Sequence, residues 1–455
     1  MRRKGGQHAG RMHRIHLLLF LICMLASQPW GVSTNMRGTT LADSIAKVEI
    51  PKSIHSDTLS LPKIPMELPD PKPDGKIQIS VSGVPRALTI HGRLQLHLEE
   101  YIKNRGNPVS AVVVVEVKTG NILAMAQGKN PKEWHSNTHT ALHEYFPAAS
   151  IFKVVSTLAA VEELGLDSQH PIELNHRCGV VLPSDVGEVP HGKKKRKKTA
   201  SRSMSMEEAL GRSCNAYFAK LGARQLGLPA ITHYAELFGW VEGGVNAVKT
   251  DFTMPPSSFH PSETGTMDPF DLGVLAAGLG TVEMSPIHAA SIMLLLANNG
   301  VPKKLKLFEE PPATIISEAI PPARFGADTS SKIRTMMHKT VDGGSASHVF
   351  HQRAYSYLRE NVGAKTGTRQ GRLYSFPKNT PANGLLTTWL TLVYPYDRPE
   401  VVVAAVVANN EVWRIRGSDL GAEAVREWDF ERRGLVASVE KPFHKGKRKG
   451  KRKHR

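Results

Sequence analysis

Apolar, β-branched runs stand on either side of a long, largely helical middle in this 455-residue chain, and neither group can fold without the other. Residues 111–127 (AVVVVEVKTGNILAMAQ) read as two strands turning at Thr119-Gly120. Further strands are expected at roughly 361–369, 385–395 and 400–408, from their content of Val, Leu, Thr and Trp. An isolated hairpin is marginal in water; three or more strands with a packed face are needed for stability. The two groups are therefore expected to meet in one sheet, antiparallel because their connections look like hairpins. With helical pattern from 150 to about 345, the fold class is α+β. The expected architecture is an antiparallel sheet flanked by helices plus a mostly helical subdomain, with the site at their junction.

Three short strings carry candidate chemistry: Ser150-Ile-Phe-Lys153, Ser213-Cys-Asn215 and Lys365-Thr-Gly-Thr368. From Ser150 to Gly165, apolar Ile151, Val154, Val155, Leu158 and Val161 recur at helical spacing, which predicts one helix starting just after Pro147. Ser150 then sits at a helix N-terminus, where unpaired backbone N–H groups favour developing negative charge. Lys153, three residues on, shares its face. An unassisted serine hydroxyl is a poor nucleophile at neutral pH, and a buried lysine beside another cation can lose its proton and act as its base. Alone, this string would read as an N-cap serine and a surface lysine.

Ser205-Met-Glu-Glu208 is a capping box opening a short helix that Gly211 interrupts, and helical pattern resumes from Asn215 to Gly227. Ser213 and Asn215 fall at the break, where a hydroxyl and a carboxamide can project into a cleft to relay a proton or hold an amide. Residues 362–368 (VGAKTGT) read as an edge strand in which Gly363 and Gly367 permit close approach of another backbone. Lys365, Thr366 and Thr368 would present a cation and two hydroxyls to a carboxylate. Backbone amides of Ser150 and Thr368 would frame an oxyanion hole, one such donor being worth about 3 kcal/mol of barrier. In this order and setting, the three strings point to serine acyl transfer.

On these residues the chain resembles the penicilloyl serine transferases, specifically a penicillin-binding protein transpeptidase domain, over roughly residues 86–430. Residues 279–286 (LGTVEMSP) and 289–300 (AASIMLLLANNG) are similar to the helix preceding the family's third motif. The resemblance implies that Ser150 is acylated by the penultimate D-alanine carbonyl of a peptidoglycan stem peptide, or by a β-lactam. Lys153 would be the acylation base. Ser213 would pass a proton to the leaving amine, with Lys365 positioning it. Asn215 would hold the donor's amide, and Thr366, Gly367 and Thr368 would bind its carboxylate end. No cofactor and no metal are implied. The chain departs from the family at Pro147-Ala-Ala149, where many relatives carry Pro-Gly, and at Arg369, where a small residue is common and a bulky cation could alter substrate or antibiotic preference. A β-lactamase or D,D-carboxypeptidase, with water as acceptor, is the nearest alternative. One known β-lactamase layout needs Glu-x-x-Leu-Asn between the second and third strings, whereas Glu173-Leu-Asn175 precedes Ser213. A non-catalytic β-lactam-binding sensor or scaffold is the other, and an intact set of catalytic groups argues against it.

The net charge of +18 is concentrated: +5 in the leader, +6 in Lys193–Lys198 and +9 from Lys441 to Arg455, which leaves the rest near neutral. Such runs read as solvated appendages able to lie against anionic lipid or wall polymer. Nucleic acid is not expected, because no reading module accompanies them. The basic start and the apolar run Ile15–Ala26 read as an export signal or membrane anchor (1–30), placing the protein in the periplasm or on the extracytoplasmic face. The expected order continues with a Pro-rich linker (31–85), the transpeptidase domain (86–435) and a basic tail (436–455). The linker leaves no room for a glycosyltransferase domain, so a separate glycan polymerase is a candidate partner. His135, His139 and His143 are spaced by four, but their Ser-Asn-Thr surroundings favour a loop and not a metal site. Of three cysteines, Cys23 lies in the leader; Cys178 and Cys214 could bridge, although two buried free thiols are the simpler expectation.

Overall fold

The computed structural model describes residues 61–435 apart from 73–74, 108, 130–138, 144–145, 175, 188–201, 242–243, 245–246, 262–265, 311–319, 372–383 and 411–413. The leader, the Lys193–Lys198 run, His135 and the basic tail lie outside the described residues. A hairpin of β1 (Gln78–Val81) and β2 (Val84–Ala87) leads to helix α1 (Gly92–Lys103), then β3 (Val109–Glu116) and β4 (Ile122–Lys129). The short strand β5 (Phe146–Pro147) precedes a 3-10 turn at Ala149–Phe152 that runs into α2 (Lys153–Leu164). The middle contains β6 (Ile172–Leu174), β7 (Arg202–Met204), α3 (Met206–Gly211), α4 (Asn215–Leu221) and α5 (Gly227–Leu237). It continues through α6 (Pro269–Ala276), β8 (Glu283–Met284), α7 (Pro286–Ala297) and α8 (Ala327–His338). Last come β9 (Gly363–Gly371), β10 (Leu385–Tyr394), β11 (Val401–Asn409) and α9 (Gly417–Arg432).

The early and late strand groups meet as their composition requires. One five-stranded sheet runs β4-β3-β11-β10-β9, every neighbouring pair antiparallel. Along one register line Val113 faces Ala404, Ala404 faces Thr391, and Thr391 faces Lys365, so the third string is carried on the edge strand. Both faces are covered. Val402, Ala404, Val406 and Ala408 of β11 pack with Trp389 and the buried helix α7; Val401, Val403, Ala405 and Val407 pack with Leu94 and Leu98 of α1 and Leu420 and Trp428 of α9. That double burial explains why β11 is apolar at nearly every position and does not alternate. The α+β class, with helices on the sheet and a largely helical middle, matches the expectation.

Two local readings change. The helix expected from Ser150 begins as a 3-10 turn and becomes α-helical at Lys153, ending where Gly165 takes the left-handed φ of 62°. Residues 61–72 and 75–85, expected as part of a linker, pack on the domain: Ile64, Ile77 and Ile79 are buried, and Thr253 donates its N–H to Pro62 O at 2.9 Å. Prolines suit such an extended arm because they need no ladder partner. Its anchoring isoleucines are too sparse to form a period, which is why the pattern reads as linker.

Candidate active site

The 3-10 turn brings Ser150 and Lys153 together at the start of α2, and both are buried. Lys153 Nζ lies 2.7 Å from Ser150 Oγ and donates to Asn215 Oδ1 at 2.8 Å and to Ala277 O at 2.6 Å. On β9, Lys365 Nζ donates to Ser213 Oγ at 2.9 Å and to Thr366 O at 2.8 Å. Gly367 lets the strand lie on the turn, since a methyl group there would sit 3.3 Å from Ile151 Cγ1. Trp389 of β10 braces the approach to Ser150: its Nε1 donates to Pro147 O at 2.9 Å and its ring meets Phe146 edge-on.

Burial, and then the charge of Lys365, hold the Lys153 amine well below the usual lysine range, and burial lowers Lys365 to about 7. A neutral lysine amine has two N–H bonds and one lone pair. Ala277 O and Asn215 Oδ1 can only accept, so they take the two N–H bonds and leave the lone pair facing Ser150 Oγ. The arrangement can deprotonate a serine.

Two non-glycine residues here adopt left-handed backbone: Ala149 at φ 47° and Ser213 at φ 58°. Each costs roughly 1–3 kcal/mol relative to relaxed backbone and is held only by its surroundings. Ala149 stands where the family resemblance leads one to expect glycine. Gly278, itself at φ 74°, packs its Cα against Ala149 O, which a side chain there would strike.

Ser150, Lys153 and Asn215 thus form one hydrogen-bonded group, and Lys365 and Ser213 another, beside it. Thr368 is exposed on β9, whereas Thr366 is half-buried with Oγ1 2.5 Å from Ser345 Oγ. Ser345 also donates to Gly211 O at 3.2 Å, so the Thr366 hydroxyl proton is directed to Ser345. Asn215 is held more tightly than its sequence setting suggests: its Nδ2 donates to Gly179 O at 2.9 Å and its N–H to Cys178 O at 2.8 Å. The reason is a disulfide. Cys178 and Cys214, expected as free thiols, are bonded across a sequence separation of 36, tying the 178–179 segment to the second string. Two cysteines at such a spacing carry no pairing signal of their own. Sequence reasoning also missed Ala277 O, Ser345 and Trp389, which act through a carbonyl, a second hydroxyl and an indole N–H; none belongs to a recognisable spacing. Arg369, where the family commonly has a small residue, donates from Nη1 to Leu279 O at 2.6 Å and Gly280 O at 2.7 Å.

The sequence profile of the penicillin binding protein transpeptidase domain matches residues 110–427. The chain belongs to that family. It is 25% identical over 329 residues to the peptidoglycan D,D-transpeptidase PbpA of Mycolicibacterium smegmatis, covering 65% of this chain and 61% of the relative. Against the PbpA of Mycobacterium tuberculosis identity is 25% over 336 residues, covering 66% and 62%. The chain therefore spans about three-fifths of the length of these curated relatives. Among solved structures, the D,D-transpeptidase domain of a peptidoglycan glycosyltransferase from Eggerthella lenta superposes with a TM-score of 0.58 at 20% identity, covering 77% of this chain and 83% of that one. The ceftriaxone acyl-enzyme complex of penicillin-binding protein A from M. tuberculosis gives 0.55 at 23%, covering 74% and 78%. These likenesses carry the fold of the family to this chain.

Proposed function

We propose that the protein is a peptidoglycan D,D-transpeptidase that works through an acyl-enzyme on Ser150, and that β-lactams acylate the same hydroxyl. The observation that carries this reading is the 2.7 Å contact from Lys153 Nζ to Ser150 Oγ, with the amine's other two acceptors already supplied by protein. Lys153 takes the Ser150 proton as Oγ attacks the penultimate D-alanine carbonyl of a stem peptide. The amides of Ser150 and Thr368 hold the oxyanion. Collapse of the tetrahedral adduct breaks the peptide bond, and Ser213, steadied by Lys365, relays the proton that Lys153 took from Ser150 to the departing D-alanine amine. The exposed Thr368 hydroxyl holds the terminal carboxylate beside Gly367, and Thr366, whose hydroxyl proton goes to Ser345, braces the strand. An amine of a second stem peptide then attacks the ester, releasing Ser150 and forming the cross-link.

Such chemistry belongs outside the cytoplasm, in the periplasm or on the extracytoplasmic face of the membrane. The apolar leader supports this placement, and so does a Cys178–Cys214 bridge, which an oxidising compartment maintains. The basic runs fit attachment to anionic lipid or wall polymer, and a glycan polymerase would supply the strands to be joined. The test is mass spectrometry of protein incubated with a labelled penicillin, beside Ser150→Ala. A long-lived adduct on wild type alone is expected. Rapid loss of the adduct would point to a hydrolase, and no adduct on either protein would refute the reading.

A further inference from the structure

Arg369 is two residues beyond Gly367 on β9 and four beyond Lys365, so all three occupy the same face of that strand. This is the face that lies on the 3-10 turn of Ser150, and the guanidinium continues past it to the carbonyls of Leu279 and Gly280. The group is half-buried; burial lowers its pKa, against the pull of Glu283, so the cation is desolvated by this seat. Residues 277–284 touch the nucleophile's segment at successive points. Ala277 O accepts from Lys153, Gly278 packs on Ala149 O, Val282 O accepts from Ala148 N–H at 2.9 Å, and Glu283 and Met284 pair with Pro147 and Phe146. Gly278 and Gly280 bring no side chains to brace this turn, and Arg369 reaches two successive carbonyls within it.

We propose that Arg369 is a positioning residue for acylation. By holding the Leu279 and Gly280 carbonyls it keeps Ala277 O on Lys153, and so keeps the lone pair of the amine aimed at Ser150 Oγ. The inference rests on Lys153 being the base. With the turn released, Lys153 loses one of the two acceptors that fix its N–H bonds, and the amine can rotate away from the serine. Ligand docking along β9 does not use this contact. The guanidinium therefore controls the chemical step and not the encounter.

The test separates the first-order acylation constant from the dissociation constant of the preceding complex, by stopped-flow with a chromogenic cephalosporin. Arg369→Ala and Arg369→Met, the latter keeping an aliphatic stem, are expected to slow acylation on the order of tenfold, the scale of a sub-ångström misplacement. The dissociation constant should stay within about twofold. Arg369→Lys, which keeps the charge but not the fork, should recover part of the rate. Unchanged acylation in both neutral variants overturns the proposal. So does a weaker complex with an unchanged chemical step, which would put the guanidinium on the ligand. So does an equal loss in all three variants accompanied by a lowered melting temperature, which would mark a general structural role. Should Arg369→Ala fail to fold, the Met and Lys variants decide. A wild type that is never acylated refutes the transpeptidase reading itself, whereas an acylated wild type indistinguishable from Arg369→Met refutes only this inference.

Discussion

Breaking the Cys178–Cys214 bridge tests how far the second string depends on its tether. The bridge closes a loop with a sequence separation of 36, for which loop-closure entropy gives about 4 kcal/mol of stabilisation at 25 °C. A body of roughly 350 residues has an unfolding entropy near 0.7 kcal/mol/K, so the loss lowers its melting temperature by about 5 °C. That is an upper figure, because residual structure in the unfolded chain already restricts part of the loop. The local effect reaches further. Asn215 has its N–H on Cys178 O and its Nδ2 on Gly179 O, so freeing residues 178–179 removes both anchors and lets its Oδ1 leave Lys153. Acylation by a fluorescent penicillin should slow about tenfold. The assay is scanning fluorimetry and acylation kinetics on wild type with and without reductant, beside Cys178→Ser/Cys214→Ser. Reduced and oxidised proteins that melt within about 1 °C of each other and acylate at equal rates would refute the reasoning.

The remaining predictions are independent of the bridge. His97 Nε2 lies 2.7 Å from Glu423 Oε1 between α1 and α9, and that bond raises its pKa above 6.5 despite burial. A folded pKa above the unfolded one means stability that is complete below pH 6.5 and is lost as pH rises through the raised value. Melting temperatures measured from pH 6 to 9 should therefore decline more steeply for wild type than for His97→Gln, and parallel curves would refute the assignment. Trp389→Phe leaves the Pro147 carbonyl without its indole donor, at a cost of roughly 1–3 kcal/mol by denaturant unfolding. It should also slow acylation, because Pro147 leads into the strained Ala149; unchanged stability and rate would remove Trp389 from the site.

Much of this molecule can be read before it is folded. The strands at 109–116, 122–129, 363–371, 385–394 and 401–409 fall within a few residues of their expected places: those at 109–116 and 401–409 are buried on both faces and need an uninterrupted apolar run, while 363–371 is an edge strand marked by its glycines. Ser205 caps α3 by accepting from Glu208 N at 3.3 Å, the half of the expected capping box that is local in sequence, whereas the Glu208 carboxylate pairs with Arg202 and Arg212. Residues that act through local chemistry, Ser150 with Lys153 above all, were legible for the same reason.

Sequence alone decided that a sheet must join strands from both ends of the domain and that a serine would meet a lysine one helical turn away. The rest depended on segments brought together by folding. The pairing of Cys178 with Cys214, the carbonyl of Ala277 on Lys153, the indole of Trp389 on Pro147 and the turn of Arg369 away from the exposed edge each join residues from separate elements. Backbone carbonyls look alike in every sequence, and which one meets a given amine is settled only when helices and strands pack.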